Sequence, residues 1–285
     1  MTIKEKALAK INLGLDVLGL RADRYHEVAL VMASVGLADC IEIEAAPELT
    51  VTTDREDLSC GPDNLAWKAA VLMGEFANRD PNVHIHIHKR IFIGAGLAGG
   101  STDAAAVLRG LNRFWDLGAP TDRLERLGAS LGADVPFCVA GGVSLATGKG
   151  EILHPLPDLP EWRLVLAKPK VSVSTPWAYR EFDKQKNVVH PDIPALCEAV
   201  REGHRDKVLS LCGNVLEPVT AGEHPVIGEI HRRMRENGAL FSMMSGSGPT
   251  VFGFVEDDAT AEKIVKGLLD LDLELAVTCL MGRNG

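Results

Sequence analysis

Apolar and polar residues alternate from Ala7 to Val17. Ala9, Ile11, Leu13 and Leu15 fall on one face of a strand, and Lys10, Asn12, Gly14 and Asp16 on the other. Residues 28–35 and 41–45 carry the same signal and read as two more strands. From Asn64 to Ala77 the period changes, with Leu65, Ala69, Leu72, Met73 and Phe76 recurring at helical spacing. Val83 to His88 returns to alternation and puts His84, His86 and His88 on one face. Glycines then cluster from Gly94 to Gly100, ahead of helices expected over 101–115 and 121–131. A proline-bearing stretch, HPLPDLPEW (154–162), reads as a linker. Beyond it the pattern gives a strand (163–167), helices (193–210 and 223–237), strands (239–244 and 250–255), a helix (258–269) and a last strand (273–280). With the first of those helices set aside, the order is β-α-β-β-α-β, the ferredoxin-like pattern. The expectation is an α+β chain of two domains, 1–155 and 156–285.

Composition narrows the function. The 285 residues are 46% hydrophobic and 24% charged, ordinary for a globular protein. Lys and Arg number 30 against 39 Asp and Glu, a net charge of -9, which argues against a nucleic-acid binder. Charges interrupt every apolar stretch near the N-terminus, so no secretory signal is expected. No apolar run approaches the roughly 18–20 residues of a membrane span. The six cysteines, Cys40, Cys60, Cys138, Cys197, Cys212 and Cys279, form no C-x-x-C pair and fit free thiols in a reducing, cytoplasmic setting.

The chemistry concentrates in four places. In GAGLAGGSTDAAAVL (94–108), glycines allow positive φ and close approach, and a helix opens at Ser101 or Thr102. Free N–H groups at a helix start suit phosphates. No G-K-[ST] closes the loop, so it is not a Walker A sequence. Gly94, Gly96 and Gly99 meet the bare dinucleotide-binding spacing, but no second βαβ unit follows. Lys10, with Asn12, projects from a strand whose other face is core, where a charge needs a partner; an edge strand with Lys10 in solvent fits the same pattern. Asp134, in GADVPF (132–137), is expected at a helix-to-strand turn, either as a proton acceptor or as a turn aspartate bonding its own backbone. Ser245 to Thr250 (SGSGPT) reads as a hairpin turn or as a second glycine loop closing on a ligand. The three histidines of 84–88 lack a neighbouring acidic or thiol ligand and read as a polar outer face.

Together these segments resemble the GHMP kinases, the family of galacto-, homoserine, mevalonate and phosphomevalonate kinases. The N-terminal strand, the GAGLAGGST loop and the SGSGPT turn occur in the family's order. Residues 9–28, GPDNL (61–65), GADVPF, GKGE (148–151), VSVSTPWAY (171–179) and NVLE (214–217) resemble one branch, whose small alcohol substrate carries a cytidine diphosphate group.

The resemblance implies an N-terminal domain of the ribosomal protein S5 domain 2 type and a ferredoxin-like C-terminal domain. It implies ATP with Mg²⁺, and phosphoryl transfer to a 2-hydroxyl in the non-mevalonate route to isoprenoid precursors. Another family member, of the mevalonate, phosphomevalonate or homoserine type, is the alternative. By the resemblance, Lys10 and Asp134 are catalytic, with Asp134 the base and Lys10 holding it ionised. Asn64 and Leu65 sit near the adenine. Gly94, Ala95, Gly96, Leu97, Ala98, Gly99, Gly100, Ser101 and Thr102 wrap the ATP phosphates, and Ser101 or Thr102 reaches the metal. Asn12, Tyr25, His26 and Tyr179 bind the substrate. Three positions depart from the family pattern: Phe92 replaces proline, and Ala98 and Arg24 replace glycine.

Overall fold

The computed structural model describes residues 2–283. The N-terminal half runs β1 (Thr2–Leu20), β2 (His26–Ala45), β3 (Thr50–Thr53), α1 (Leu65–Ala77), β4 (Val83–His88), α2 (Gly99–Phe114), α3 (Thr121–Gly128), α4 (Val135–Ala140), β5 (Val143–Thr147) and β6 (Ile152–Leu156). After an irregular stretch over 157–162 come β7 (Arg163–Pro169), α5 (Thr175–Phe182), α6 (Ile193–Glu202), α7 (Arg205–Leu211), β8 (Gly213–Asn214), α8 (Glu217–Glu223), α9 (Val226–Glu236), β9 (Phe241–Met244), β10 (Val251–Phe254), α10 (Asp258–Leu268) and β11 (Leu273–Met281).

The chain is α+β, and its strands join in one mixed sheet whose main path is β3-β4-β2-β11-β7-β10-β9. The last four positions, β11-β7-β10-β9, form an antiparallel ferredoxin-like sheet with α9 and α10 in the helical places. β11 connects the halves, pairing along β7 and, through Leu280 and Met281, with Val35 and Ser34 of β2.

β1 is longer than its alternation suggested, and both of its faces are buried over the middle. Its register against β2 shifts between Leu8 and Ala9 and again between Asn12 and Gly14. Each shift is a bulge-like irregularity that re-aims the side chains after it. Ala9, Ile11 and Leu13 therefore enter one core with α6 and α7, whereas Ala7, Leu15 and Val17 enter the other with α1 and α2. Leu15 does not share the core of Ile11 and Leu13, as strict alternation required. Lys10 is buried too, so the edge-strand alternative does not hold.

The strands expected over 28–35 and 41–45 are one strand, β2. The apparent gap is where Val35 and Ala38 face adjacent residues of β1, with Gly36 and Leu37 absorbed between them. A Cβ on Gly36 would meet Thr278 Oγ1 at 3.0 Å, so a side chain there would crowd β11. The helix expected over 193–210 is two helices, α6 and α7. Gly203, at φ 70°, caps the first through its N–H to Ala199 and Val200 carbonyls. Helices α4, α5 and α8 are short, each with proline in its first turn, and too brief to show periodicity. No helix among the described residues is long and apolar enough to cross a membrane. All six cysteines are free.

Candidate active site

A cleft of about 1430 Å³ runs between the glycine loop, β1, the turn before α4, and α5. At one end lies the loop into α2. Gly94 and Gly96 have φ of 62° and 73°, and Ala98, at φ 60°, precedes the helix. Gly96 needs its missing side chain twice over. Its φ is left-handed, and a Cβ would lie 2.4 Å from the Ser245 carbonyl oxygen. No side chain caps α2, which leaves first-turn N–H groups turned to the cleft for an anion.

A buried charge cluster lies behind this loop. Lys89 Nζ donates to Asp39 Oδ2 and Asp103 Oδ2, both at 2.6 Å, with all three side chains buried. Asp39 also accepts from the N–H groups of Arg90 and Ile91, which fixes the approach to the loop. A Cβ on Gly99 would sit 3.2 Å from that ammonium. Asp103 has a second oxygen with no hydrogen-bond partner among the described residues, and burial, with Asp39 adding to it against the pull of Lys89, lifts its carboxyl to about 7.

The SGSGPT segment joins β9 to β10 and packs onto the glycine loop, with Ser247 and Gly248 in the cleft wall. Ser245 Oγ donates to the Gly96 carbonyl at 3.1 Å. Asn214 Nδ2 donates to the carbonyls of Met244 and Gly246 at 2.9 and 2.8 Å, and Thr175 Oγ1 meets Ser247 Oγ at 2.9 Å.

Lys10 lies mid-cleft. Its Nζ donates to Asn12 Oδ1 at 2.7 Å, and its backbone N–H donates to Leu97 O, tying β1 to the loop. Asp134 precedes α4 rather than a strand, and its carboxylate makes no cap bond, so it is free to face the cleft. No ion pair joins Lys10 to Asp134 among the described residues. Both charges nevertheless bear on one point: the Cys138 thiol is pushed up to about 12 by burial and then by Asp134, with Lys10 opposing.

The far end is aromatic. His26 stacks on Tyr179 with ring centroids 4.9 Å apart, and its Nε2 meets Asp183 Oδ1 at 2.8 Å. Tyr25 is 60% exposed, with Lys149 Nζ 4.7 Å from its ring centroid. Burial and then the Asp134 charge push the Tyr179 hydroxyl up to about 12.

Of the residues singled out in the sequence, the cleft gathers Lys10, Asn12, Tyr25, His26, Asn64, Leu65, Gly94, Ala95, Gly96, Ala98, Gly99, Gly100, Ser101, Asp134 and Tyr179. Two do not reach it. The Leu97 side chain is buried in the core beside Ile91. Thr102 is fully buried and its hydroxyl donates to Leu8 O at 2.6 Å, so of the pair Ser101 and Thr102 only Ser101 faces the cleft. The Asn64 amide is already engaged, accepting from Ala66 N and donating to Ser59 O as the cap of α1. Two histidines of β4 bond to hydroxyls, His84 to Thr50 and His86 to Thr52, but His88 Nε2 lies 3.1 Å from Glu42 Oε1, an acidic neighbour that β2 supplies and the sequence reading did not expect. Asp39, Lys89 and Asp103 were not anticipated, because nothing in their spacing announces a contact. Asn214 was visible only within a resemblance.

Family models place this geometry. Residues 64–142 match the GHMP kinases N terminal domain, and residues 185–270 match GHMP kinases C terminal. The chain belongs to the GHMP kinase family. This GHMP kinase is an enzyme, a phosphotransferase. It is 46% identical over 271 residues to a protein of Geobacillus kaustophilus named 4-diphosphocytidyl-2-C-methyl-D-erythritol kinase, covering 94% of this chain and 93% of the relative. A protein of Bacillus velezensis with the same name is 47% identical over 270 residues, with the same two coverages. Among solved structures, 4-(cytidine 5'-diphospho)-2C-methyl-D-erythritol kinase superposes with a TM-score of 0.83 at 34% identity, covering 98% of this chain and 100% of that one.

Proposed function

We propose that this kinase transfers the γ-phosphoryl group of ATP to the 2-hydroxyl of 4-diphosphocytidyl-2-C-methyl-D-erythritol, a step of the non-mevalonate route to isoprenoid precursors. The observation that carries the reading is near-full-length identity of 46–47% to relatives bearing that name. The aromatic end of the cleft, which offers Tyr25, His26 and Tyr179 to a planar base, supports it.

The roles follow from position. The first turn of α2 and the loop before it hold the ATP phosphates through backbone N–H groups. The Asp134 carboxylate, uncommitted and facing the cleft, takes the hydroxyl proton as the oxygen attacks. Asn12 aims the Lys10 ammonium, which stabilises charge gathering on the moving phosphoryl group. Lys10 acts on the phosphate rather than as a contact partner of Asp134.

The Ser101 hydroxyl in the cleft is an oxygen donor that suits a hard cation such as Mg²⁺. No group of three or more His, Cys, Asp or Glu is placed to hold a metal among the described residues. ATP phosphates would therefore supply most of its ligands, with Ser101 completing them. Bound there, the ion neutralises phosphate charge.

The test is a phosphoryl-transfer assay with the cytidine diphosphate substrate beside mevalonate and homoserine. Turnover of the first alone is expected. Preference for either of the others would return the chain to another branch of the family.

A further inference from the structure

We propose that Arg24 is a diphosphate-binding residue of this chain, a cation that grips the phosphates of a cytidine diphosphate ester at the aromatic end of the cleft. The inference rests on the cytidine reading above.

The turn between β1 and β2 closes through Arg21 N–H to Tyr25 O at 2.8 Å and Arg24 N–H to Arg21 O at 3.1 Å. That closure puts Arg24 at φ 66°, a left-handed conformation costly for any residue with a side chain. Glycine would adopt it freely. Arg24 is exposed to solvent and lines the cleft beside Tyr25, so the strained position puts a cation at the mouth of the site.

The surrounding charges show what is missing. Arg21, three residues earlier, is paired with Glu27 and lies near Asp23. Asp23 Oδ1 also accepts from Tyr25 N–H. The Arg24 guanidinium has no hydrogen-bond or ion-pair partner among the described residues. The Arg180 guanidinium, next to Tyr179, and the Lys149 ammonium, over the Tyr25 ring, also line the cleft and also lack a carboxylate partner among the described residues, the nearby Glu151 bonding instead to the Lys149 N–H. In a chain with 39 acidic and 30 basic residues, acids are in surplus. Three cations left unpaired at one end of one cleft mark a place for an anion. The other cleft cations are engaged: Lys89 by two aspartates and Lys10 by Asn12.

ATP phosphates have their own seat at the glycine loop. The anion at the aromatic end is therefore the phosphate group attached to the base that Tyr25 and Tyr179 flank. A planar guanidinium fork matches phosphate oxygens in bidentate fashion, which an ammonium cannot do.

Calorimetric titration with cytidine diphosphate and with cytidine tests this, on wild type, Arg24→Gly and Arg24→Gln. Glycine relieves the turn, so Arg24→Gly is expected to melt no lower than wild type. Glutamine keeps the strained backbone and removes only the charge. Both variants should bind cytidine diphosphate about tenfold more weakly and leave cytidine affinity unchanged. Equal losses for the two ligands, or no loss for either, overturn the role of Arg24. So does a wild type that binds cytidine but gains nothing from the diphosphate. A wild type that binds neither ligand overturns the cytidine reading and this inference with it.

Discussion

At the glycine-loop end of the cleft, the contacts that hold the loop itself are made by backbone or by buried side chains. Gly96 abuts the Ser245 carbonyl, Thr102 is tied to Leu8 O, and Lys89 is locked between Asp39 and Asp103. At the aromatic end the working groups are exposed or half-buried side chains on a turn and a short helix. Tyr25 is 60% exposed, and His26 is held by Asp183, whose side chain is itself 47% exposed. The two ends answer different demands. A triphosphate is an anion that many nucleotides share, and preorganised N–H groups recognise it without naming the base. A particular base must be read by side chains at its edge and faces, and such groups can differ from one relative to the next without disturbing the core.

The sharpest break of that division falls between the ends, at Asp134. Its carboxylate influences both the Cys138 thiol and the Tyr179 hydroxyl, so it sits where the two halves meet. Asp134→Asn keeps the shape and removes the proton acceptor. The expected loss in kcat is about 10²–10⁴-fold, typical of a missing general base, with ATP and cytidine diphosphate still bound. A variant keeping more than about a tenth of wild-type kcat would exclude Asp134 as the base.

A reciprocal pair of substitutions sharpens the comparison itself. Gly96→Ala would bring a methyl group 2.4 Å from the Ser245 oxygen in a left-handed backbone. It should weaken ATP by at least about fivefold, from roughly 1–2 kcal/mol of backbone strain before any displacement is counted. Cytidine diphosphate binding should survive. Tyr179→Ala should do the reverse, weakening cytidine diphosphate by about 1–3 kcal/mol, the worth of one base stacked on an aromatic ring, and sparing ATP. Calorimetry with both ligands on both variants decides. If each substitution cost both ligands equally, the ends would not be separable.

The sequence revealed the ends unequally. The alternation of β1, the period of α1 and the glycine cluster are local signals, and each marks an element that formed. The ferredoxin-like order was readable because its strands and two longer helices are regular. The bulges in β1 were not readable, because alternation continues through them while the core they face changes. Residues Ala9 to Leu13 and Leu15 to Val17 look like one pattern and serve two cores. Helix α5, which carries Tyr179, has only 8 residues, too few for a period; Pro176 in its first turn was the one usable sign. The Lys89 cluster joins residues 50 and 14 positions apart. No spacing rule reaches that far, and only burial makes the charges meaningful.

That cluster gives the subtlest test, because it asks whether the glycine-loop end is braced from within by charge. Lys89 can balance only one aspartate, and Asp39 has two backbone N–H bonds besides. Asp103 is the odd group, with an orphaned oxygen and a carboxyl lifted from 3.8 to about 7, chiefly by burial. Between those values the folded chain keeps a proton that the unfolded chain has released. Folding stability contributed by Asp103 should therefore fall as pH rises through this window and level off above about 7. Asp103→Asn removes the titration while keeping an oxygen for Lys89. Its stability relative to wild type should climb between pH 5 and 7, by at most about 1.4 kcal/mol per pH unit, and then stay flat to pH 8. Urea midpoints at pH 5, 6, 7 and 8 measure it. A difference that does not change with pH would mean that Asp103 stays ionised on Lys89 throughout, so that the orphaned oxygen carries no proton. The aromatic end has no part in this cluster, so cytidine diphosphate affinity should be the same in both proteins at every pH tested. A shift there would show that the charge behind the glycine loop is felt across the whole cleft.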